Sequence, residues 1–301
     1  MSPMARPFAW SQASRDPSAD ADSHEIRTAN HSSSLASRIS SSRLDFIASR
    51  LTPIDRAMLD VVARTRLCSG AQLERLFWNE GSPASRSRLA RRALKRLTDW
   101  RILDRQSRVI GGQRAGSRGY VYSLGPAGVR LLARETGVRV RRPITPGERY
   151  VRHVLACTEL VVQLGEADRT GTLEVIEVQS EPHCWRGFIS GFGRRVILKP
   201  DLFVRVGVGA LEDRWFIEID LATEASGTLS AKARRYLAHF RSGSEQRTAG
   251  TYPRVLWVVP DSRRQTQLEA VLQGLPEGAH RLFAVCLSAE TIQLLAAEAR
   301  P

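Results

Sequence analysis

The positive charge of this chain is confined to one stretch, and that confinement divides the molecule in two. Residues 51–147 hold 20 Lys+Arg against 7 Asp+Glu, whereas residues 148–301 hold 19 of each. The first 50 residues are close to balance, with 6 against 5. A chain of 301 residues is too long for one small core and suits two domains, and its 42% apolar content is enough to bury both. The formal charge of +14 excludes an ordinary acidic enzyme as the default and points to a polyanionic partner. Only Lys95, Lys199 and Lys232 are lysines among 45 basic residues. Arginine richness follows in part from codon usage, but codon usage does not segregate charge along a chain. A basic nucleic-acid-binding domain joined to a neutral domain with a different task is the arrangement expected.

The four cysteines, Cys68, Cys157, Cys184 and Cys286, are scattered, without a C-x-x-C pair or a His pair at zinc-finger spacing. Neither a disulfide framework nor structural zinc is expected, and free thiols in a reducing compartment fit best. No apolar run approaches the ~18 residues of a membrane span, and the N-terminus lacks the apolar core of a secretory signal. A cytoplasmic location with no membrane partner follows as an expectation.

Residues 1–48 are rich in Ser, Ala, Arg and Asp with poor apolar periodicity, and read as a disordered tail. Order is expected from about Leu51. Thr52-Pro53 is an N-cap followed by a proline at the first helical position, with Ile54, Met58, Leu59, Val61 and Val62 behind it. Ser69 opens a second helix through Leu73, Leu76 and Phe77. Asn79 to Pro83 reads as a turn and Ser85 as the start of a third helix, with Leu89, Ala93, Leu94 and Leu97 on its apolar stripe. Two short strands around a glycine-rich loop follow, then a helix begun by Pro126 and ended by Gly137.

Helix, helix, helix, hairpin and helix over residues 49–142 resembles a winged helix-turn-helix DNA-binding domain. In that class the third helix enters the major groove and the hairpin wing touches the phosphate backbone. Here the third helix carries Arg86, Arg88, Arg91, Arg92, Lys95 and Arg96 off its apolar stripe, and the wing loop carries Arg114 and Arg118. Guanidinium groups pair with phosphates bidentately or read guanine edges. Crowded cations on one helix repel one another, which favours a polyanion over a merely solvated face.

Residues 148–301 read as αβββαβαβ. An amphipathic helix with Val151, Val154, Leu155, Leu160, Val161 and Leu164 precedes a strand at Thr172–Glu181. Arg195–Val208 reads as one second strand, paired through the Gly209–Asp213 turn with a third at Asp213–Thr223. Glu218 and Asp220, two residues apart on that strand, share a face, and Ile217, Ile219 and Leu221 share the other. A carboxylate among Trp215, Phe216, Ile217 and Ile219 must face solvent, a cation or a base. Asp201, if it lies across from them, completes a cluster that binds a cation or retains a proton. His153, His183 and His239 are isolated and read as surface or capped core residues.

With Pro200-Asp201, Glu218-Ile219-Asp220 and a following helix bearing Lys232 and Tyr236, this half resembles the PD-(D/E)xK nuclease-like superfamily. Trp215 to Glu224, W-F-x-E-x-D-x-A-T-E, adds a narrower resemblance to the replication-relaxation family of plasmid and mobile-element proteins, which are similar in joining a winged helix to such a core. The likeness covers about residues 51–290. It implies an α/β (α+β) fold and a role in replication or mobilisation. It also implies Asp201, Glu218 and Asp220 as metal ligands and, with Lys232, as catalytic residues, and Mg²⁺ as the cofactor if the domain is active. The superfamily places a lysine two residues after the acid, where this chain has Asp220. Lys232, on the next helix, is the candidate for a relocated lysine.

Three readings stay open from sequence. The chain is a DNA nickase, a transcriptional regulator with a catalytically degenerate nuclease-like domain, or a scaffold for other relaxation proteins. Double-stranded DNA is the expected partner in each, replication or mobilisation proteins are further candidates, and monomer and homodimer are both compatible with the sequence.

Overall fold

The computed structural model describes residues 39–106, 119–137, 147–191 and 193–297. It is a mixed α/β protein whose described residues fall into two compact units, divided between Glu148 and Arg149.

The N-terminal unit runs α1 (Ser41–Arg50), α2 (Pro53–Thr65), β1 (Cys68–Ser69), α3 (Gly70–Phe77), α4 (Pro83–Asp99), β2 (Leu103–Gln106), β3 (Val121–Leu124) and α5 (Pro126–Thr136). Helix α1 corrects the expectation of a tail reaching residue 48. Ser40 caps it by accepting from the Arg43 amide, and Leu44 and Ile47 are buried. The expected start of α2 is present in full, since Thr52 and Asp55 form a reciprocal capping box ahead of Pro53. Ser69 and Gln72 do the same for α3.

Helix α4 begins earlier than its sequence suggests. Ser82 caps it, and Pro83, expected in a turn, is its first residue. Its buried stripe is Ala90, Ala93, Leu94 and Leu97, at i, i+3, i+4 and i+7, while Leu89 lies off the stripe and is exposed. Strands β2 and β3 pair antiparallel, and β1 joins the far edge of β3 in the order β1-β3-β2. The loop joining β2 to β3, with Arg114 and Arg118, lies outside the described residues. Helix α5 ends at Gly137 in the left-handed conformation, as read from sequence. Gly128 on α5 allows close approach to the chain entering β2, since a Cβ there would sit 2.4 Å from the Ile102 carbonyl oxygen.

The C-terminal unit runs α6 (Glu148–Thr170), β4 (Glu174–Ser180), β5 (Arg186–Ile189), β6 (Arg195–Leu198), β7 (Leu202–Val208), β8 (Leu211–Ile219), α7 (Ser226–Ser242), α8 (Ser244–Ala249), β9 (Arg254–Val259), α9 (Ser262–Gln273), a 3-10 turn (Ala279–Leu282), β10 (Phe283–Leu287) and α10 (Thr291–Ala296). The main sheet has the order β10-β9-β8-β7-β4. Strands β4, β7 and β8 are antiparallel neighbours, while β8, β9 and β10 are parallel. The parallel pairs require crossovers, which α7 and α9 supply.

The stretch Arg195–Val208, expected as one strand, is two. Pro200 has no amide hydrogen to donate to a ladder, and the chain breaks there. β6 pairs with β5 in a separate hairpin, and β7 pairs with β8 in the main sheet. Cys184 donates its thiol to the Pro200 carbonyl, which satisfies that oxygen at the break.

Side-chain alternation along β8 sorts its residues to the two faces. Trp215, Ile217 and Ile219 join Leu160, Val161 and Leu164 of α6 in one core. Phe216 joins Tyr236 of α7, Trp257 of β9 and Leu268 of α9 in the other. Glu218, one residue before Ile219, therefore falls on the α7 face. Among the described residues no helix is long and apolar enough to cross a membrane.

Candidate active site at the ends of the central strands

The register of β7 and β8 pairs Leu202 with Ile217, and continuing it by one residue puts Asp201 opposite Glu218. The two acids thus sit at one end of adjoining strands. The amide of Ile219, the residue after Glu218, donates to Oδ2 of Asp201 at 2.7 Å, and the Asp201 amide donates to the Ile217 carbonyl at 3.1 Å. Asp201 is held at the strand break rather than within a strand.

Helix α7 carries the groups that meet Glu218. Lys232 and Tyr236 are one helical turn apart and share a face. Lys232 Nζ lies 2.5 Å from Oε2 of Glu218, and the Tyr236 hydroxyl donates to Oε1. Glu218 is only 2% exposed. Burial pushes its carboxyl up to about 8, against the pull of Lys232. Burial acts to lower Lys232, but the charges of Glu218 and Asp201 more than offset it and hold the ammonium protonated. The Tyr236 hydroxyl is raised well above its ordinary value by burial and then by the Glu218 charge, so it stays a neutral donor.

Asp201 has a partner that sequence did not single out. Its Oδ1 lies 3.1 Å from Nε2 of His153 on α6. That hydrogen bond raises the His153 pKa above 6.5, more than burial lowers it. Cys157, one turn along α6, places Sγ 3.7 Å from the same nitrogen. His153, read from sequence as a surface or capped core residue, is half-buried and hydrogen-bonded to a buried carboxylate. The signal available was the His-x-x-x-Cys spacing on an amphipathic helix, but its third member is remote in sequence.

Asp220 sits one residue past β8 and turns to a different partner. Its Oδ2 accepts from Arg264 Nε at 2.6 Å and its Oδ1 from the Ala222 amide at 2.7 Å. The same arginine donates to the Glu224 carbonyl and to Gln267. Ala222 holds a left-handed φ of 57° to make this turn. Such a conformation is unfavourable for a residue with a Cβ, and the Asp220–Arg264 anchor is what holds it. Asp220 is thereby accounted for within the fold, and sequence gave no sign of Arg264.

The cations of α4 divide in a similar way. Arg96 donates two bonds to the buried Asp55, at 2.6 and 2.8 Å, and its guanidinium lies over Trp100. Lys95 pairs with Asp99 across one exposed turn, and Arg91 Nε donates to the Ser87 carbonyl. Arg86 is half-buried. Arg88 and Arg92 are exposed and make no ion pair with a described residue. An exposed i,i+4 pair contributes only ~0.3–0.5 kcal/mol, so Lys95 is readily released to another anion. Releasing Arg96 would strand a buried carboxylate at a cost of ~1–3 kcal/mol.

A two-unit α/β protein with a basic helix in one unit and a lysine-paired carboxylate cluster in the other is the class these features define. The replication-relaxation family model matches residues 59–255, and the chain belongs to that family. The match contains α4, Asp201, Glu218, Asp220 and Lys232, and stops short of Arg264. No curated protein matches the chain, and no solved structure does.

Proposed function

We propose that this chain is a DNA-binding protein of plasmid or mobile-element replication that nicks DNA with Mg²⁺. In this reading the N-terminal unit is a winged helix-turn-helix that lays α4 along duplex DNA. The C-terminal unit is a PD-(D/E)xK nuclease-like domain. The element order of each unit, the segregated charge and the family membership support it. The observation that carries the catalytic part is Lys232 Nζ at 2.5 Å from Glu218, with Asp201 at the break just before the adjoining strand and within reach of the same charges.

The donor set fits a hard divalent cation at two of the three expected acids. Mg²⁺ takes one or two carboxylates and completes its octahedron with water and phosphate oxygens. Asp201 and Glu218 are paired with groups that can yield or shift, a half-buried imidazole and a flexible lysine. Asp220 does not fit, because a buried guanidinium already occupies it. The cation, when bound by Asp201 and Glu218, would supply Lewis-acid stabilisation of the phosphate and acidify a water.

The chain's own residues do the rest. Lys232 opposes the burial that raises Glu218, and its ammonium is placed to meet a phosphate oxygen. Tyr236 fixes the orientation of Glu218, as His153 and the Ile219 amide fix that of Asp201. On the N-terminal unit, Arg88, Arg91, Arg92 and Lys95 meet the duplex. Arg114 and Arg118, outside the described residues, are further candidates for that contact, and Arg96 braces the helix from behind.

One observation favours a second reading, a transcriptional regulator with a degenerate nuclease-like core. The superfamily position for lysine is Asp220, and its charge is absorbed by Arg264. Fluorescence anisotropy with labelled duplexes tests the DNA-binding part shared by both. Affinity that falls steeply with salt is the expected result, and no binding at low salt would remove both readings. Cleavage of supercoiled plasmid separates them.

A further inference from the structure

We propose that His153, Cys157 and Asp201 form a binding site for one Zn²⁺ ion, which shares only Asp201 with the Asp201–Glu218 pair. Nε2, Sγ and a carboxylate oxygen of these three residues all lie within 4.8 Å of one another. The His153–Asp201 separation is 3.1 Å and the His153–Cys157 separation 3.7 Å. Zinc bonds of ~2.0–2.3 Å arranged tetrahedrally put ligand atoms roughly 3.3–3.7 Å apart. Two of the three edges are therefore close to the required length before any ion enters.

The fold has assembled this trio deliberately in geometry, if not in sequence. His153 and Cys157 are one turn apart on α6 and share a face. Asp201 reaches them from the strand break at Pro200. Its other oxygen is fixed by the Ile219 amide, which leaves Oδ1 turned to the imidazole. A ligand carboxylate oriented by a backbone donor is the usual outer-shell arrangement of a metal site.

The donor types select the metal. A thiolate and an imidazole suit zinc and are poor ligands for Mg²⁺, which wants oxygen. The surrounding field is that of a cation site. Asp201, Glu181 and Glu218 all act on Cys157, and Lys232 is the opposing charge felt at His153. Burial holds the Cys157 thiol protonated, so an entering ion would displace that proton. The other three cysteines contact hydroxyl or carbonyl groups: Cys68 meets Thr65, Cys184 the Pro200 carbonyl and Cys286 Thr291. Cys157 is the one set against an imidazole. Three protein ligands leave the fourth zinc position open to water.

The inference rests on the geometry of α6 and Asp201 and needs no nuclease activity, although the two ions would compete for Asp201. The test uses the full chain, stripped with a chelator and titrated with Co²⁺, whose spectrum reports thiolate ligation and tetrahedral geometry. One equivalent should produce a sulfur-to-cobalt charge-transfer band with visible d–d bands, and Zn²⁺ should abolish both. Cys157→Ser should lose the charge-transfer band and Cys286→Ser should keep it. His153→Gln should weaken binding by about tenfold or more. Melting curves without metal establish that each variant is folded, and His153→Gln decides the matter if Cys157→Ser is not. Absence of the band in the wild-type chain, or its persistence in Cys157→Ser, would overturn the proposal.

Discussion

Arg264 Nε lies 2.6 Å from Oδ2 of Asp220, and both side chains are about 95% buried. An ion pair this deep is costly to break from one side, because the survivor is left charged and desolvated. We expect Arg264→Ala to lower unfolding free energy by ~3–5 kcal/mol. Replacing both partners, Asp220→Asn with Arg264→Met, should recover most of that loss. Urea denaturation of the three proteins checks this, and a single variant as stable as wild type would show that the pair anchors nothing.

The two classes of cation on α4 should separate experimentally. Arg88→Ala and Arg92→Ala should leave stability unchanged and weaken duplex binding. Each lost phosphate contact should reduce the salt slope by about 0.9. Arg96→Ala should instead cost ~1–3 kcal/mol of stability by stranding the buried Asp55. Anisotropy over a salt series, paired with thermal melts, distinguishes the two behaviours. An Arg88/Arg92 double variant that binds as tightly as wild type would take α4 out of the interface.

His153 and His239 should titrate in opposite directions. The Asp201 hydrogen bond raises His153 above 6.5, so its stabilising contribution is complete well below pH 6.5 and is lost as pH rises through the folded value. Burial and then the Arg186 charge lower His239 to about 4, so its contribution is present above pH 6.5 and is lost as pH falls toward 4. The stability difference between wild type and His153→Gln should therefore shrink as pH rises. NMR titration should show the His153 value falling in Asp201→Asn while His239 stays low. An unchanged His153 value would dissolve the link drawn between α6 and the strand break.

Local signals were legible in the sequence, and long-range ones were not. Thr52-Pro53 and Ser69 named their helix starts because a cap needs only residues three apart. Gly209 opens the two-residue turn that sets the β7–β8 pairing, and Gly137 ends α5. Glu218 stood out because a carboxylate in an apolar strand must face solvent, a cation or a base, and it meets Lys232. Helix α1 was hidden because its serine-rich sequence offers only Leu44 and Ile47 for burial, and tertiary packing supplies the rest. The break at Pro200 carried its signal openly, in a missing amide hydrogen, yet the apolar residues on both sides read as one strand. Arg264 reaches Asp220 across 44 residues, a partnership that no local spacing encodes.

Lys232 gives the catalytic reading its own stability signature. Lys232→Met removes the cation that offsets the burial of Glu218, and Glu218 should then take up a proton even more readily at neutral pH. The variant should remain folded, still bind duplex with a salt slope lower by no more than the one lost phosphate contact, about 0.9, and lose nicking. Loss of DNA binding along with nicking would mean that Lys232 serves the fold or the interface rather than the chemistry.

The most direct test is the conversion of supercoiled plasmid to the open-circular form in Mg²⁺ or Mn²⁺, measured on plasmids that bear a site the protein retards in gels. The wild-type chain should nick only with metal present, and Asp201→Ala and Glu218→Ala should each abolish nicking without abolishing retardation. Tight, specific retardation with no metal-dependent nicking by the wild-type chain would contradict the catalytic account and leave a DNA-binding regulator in its place.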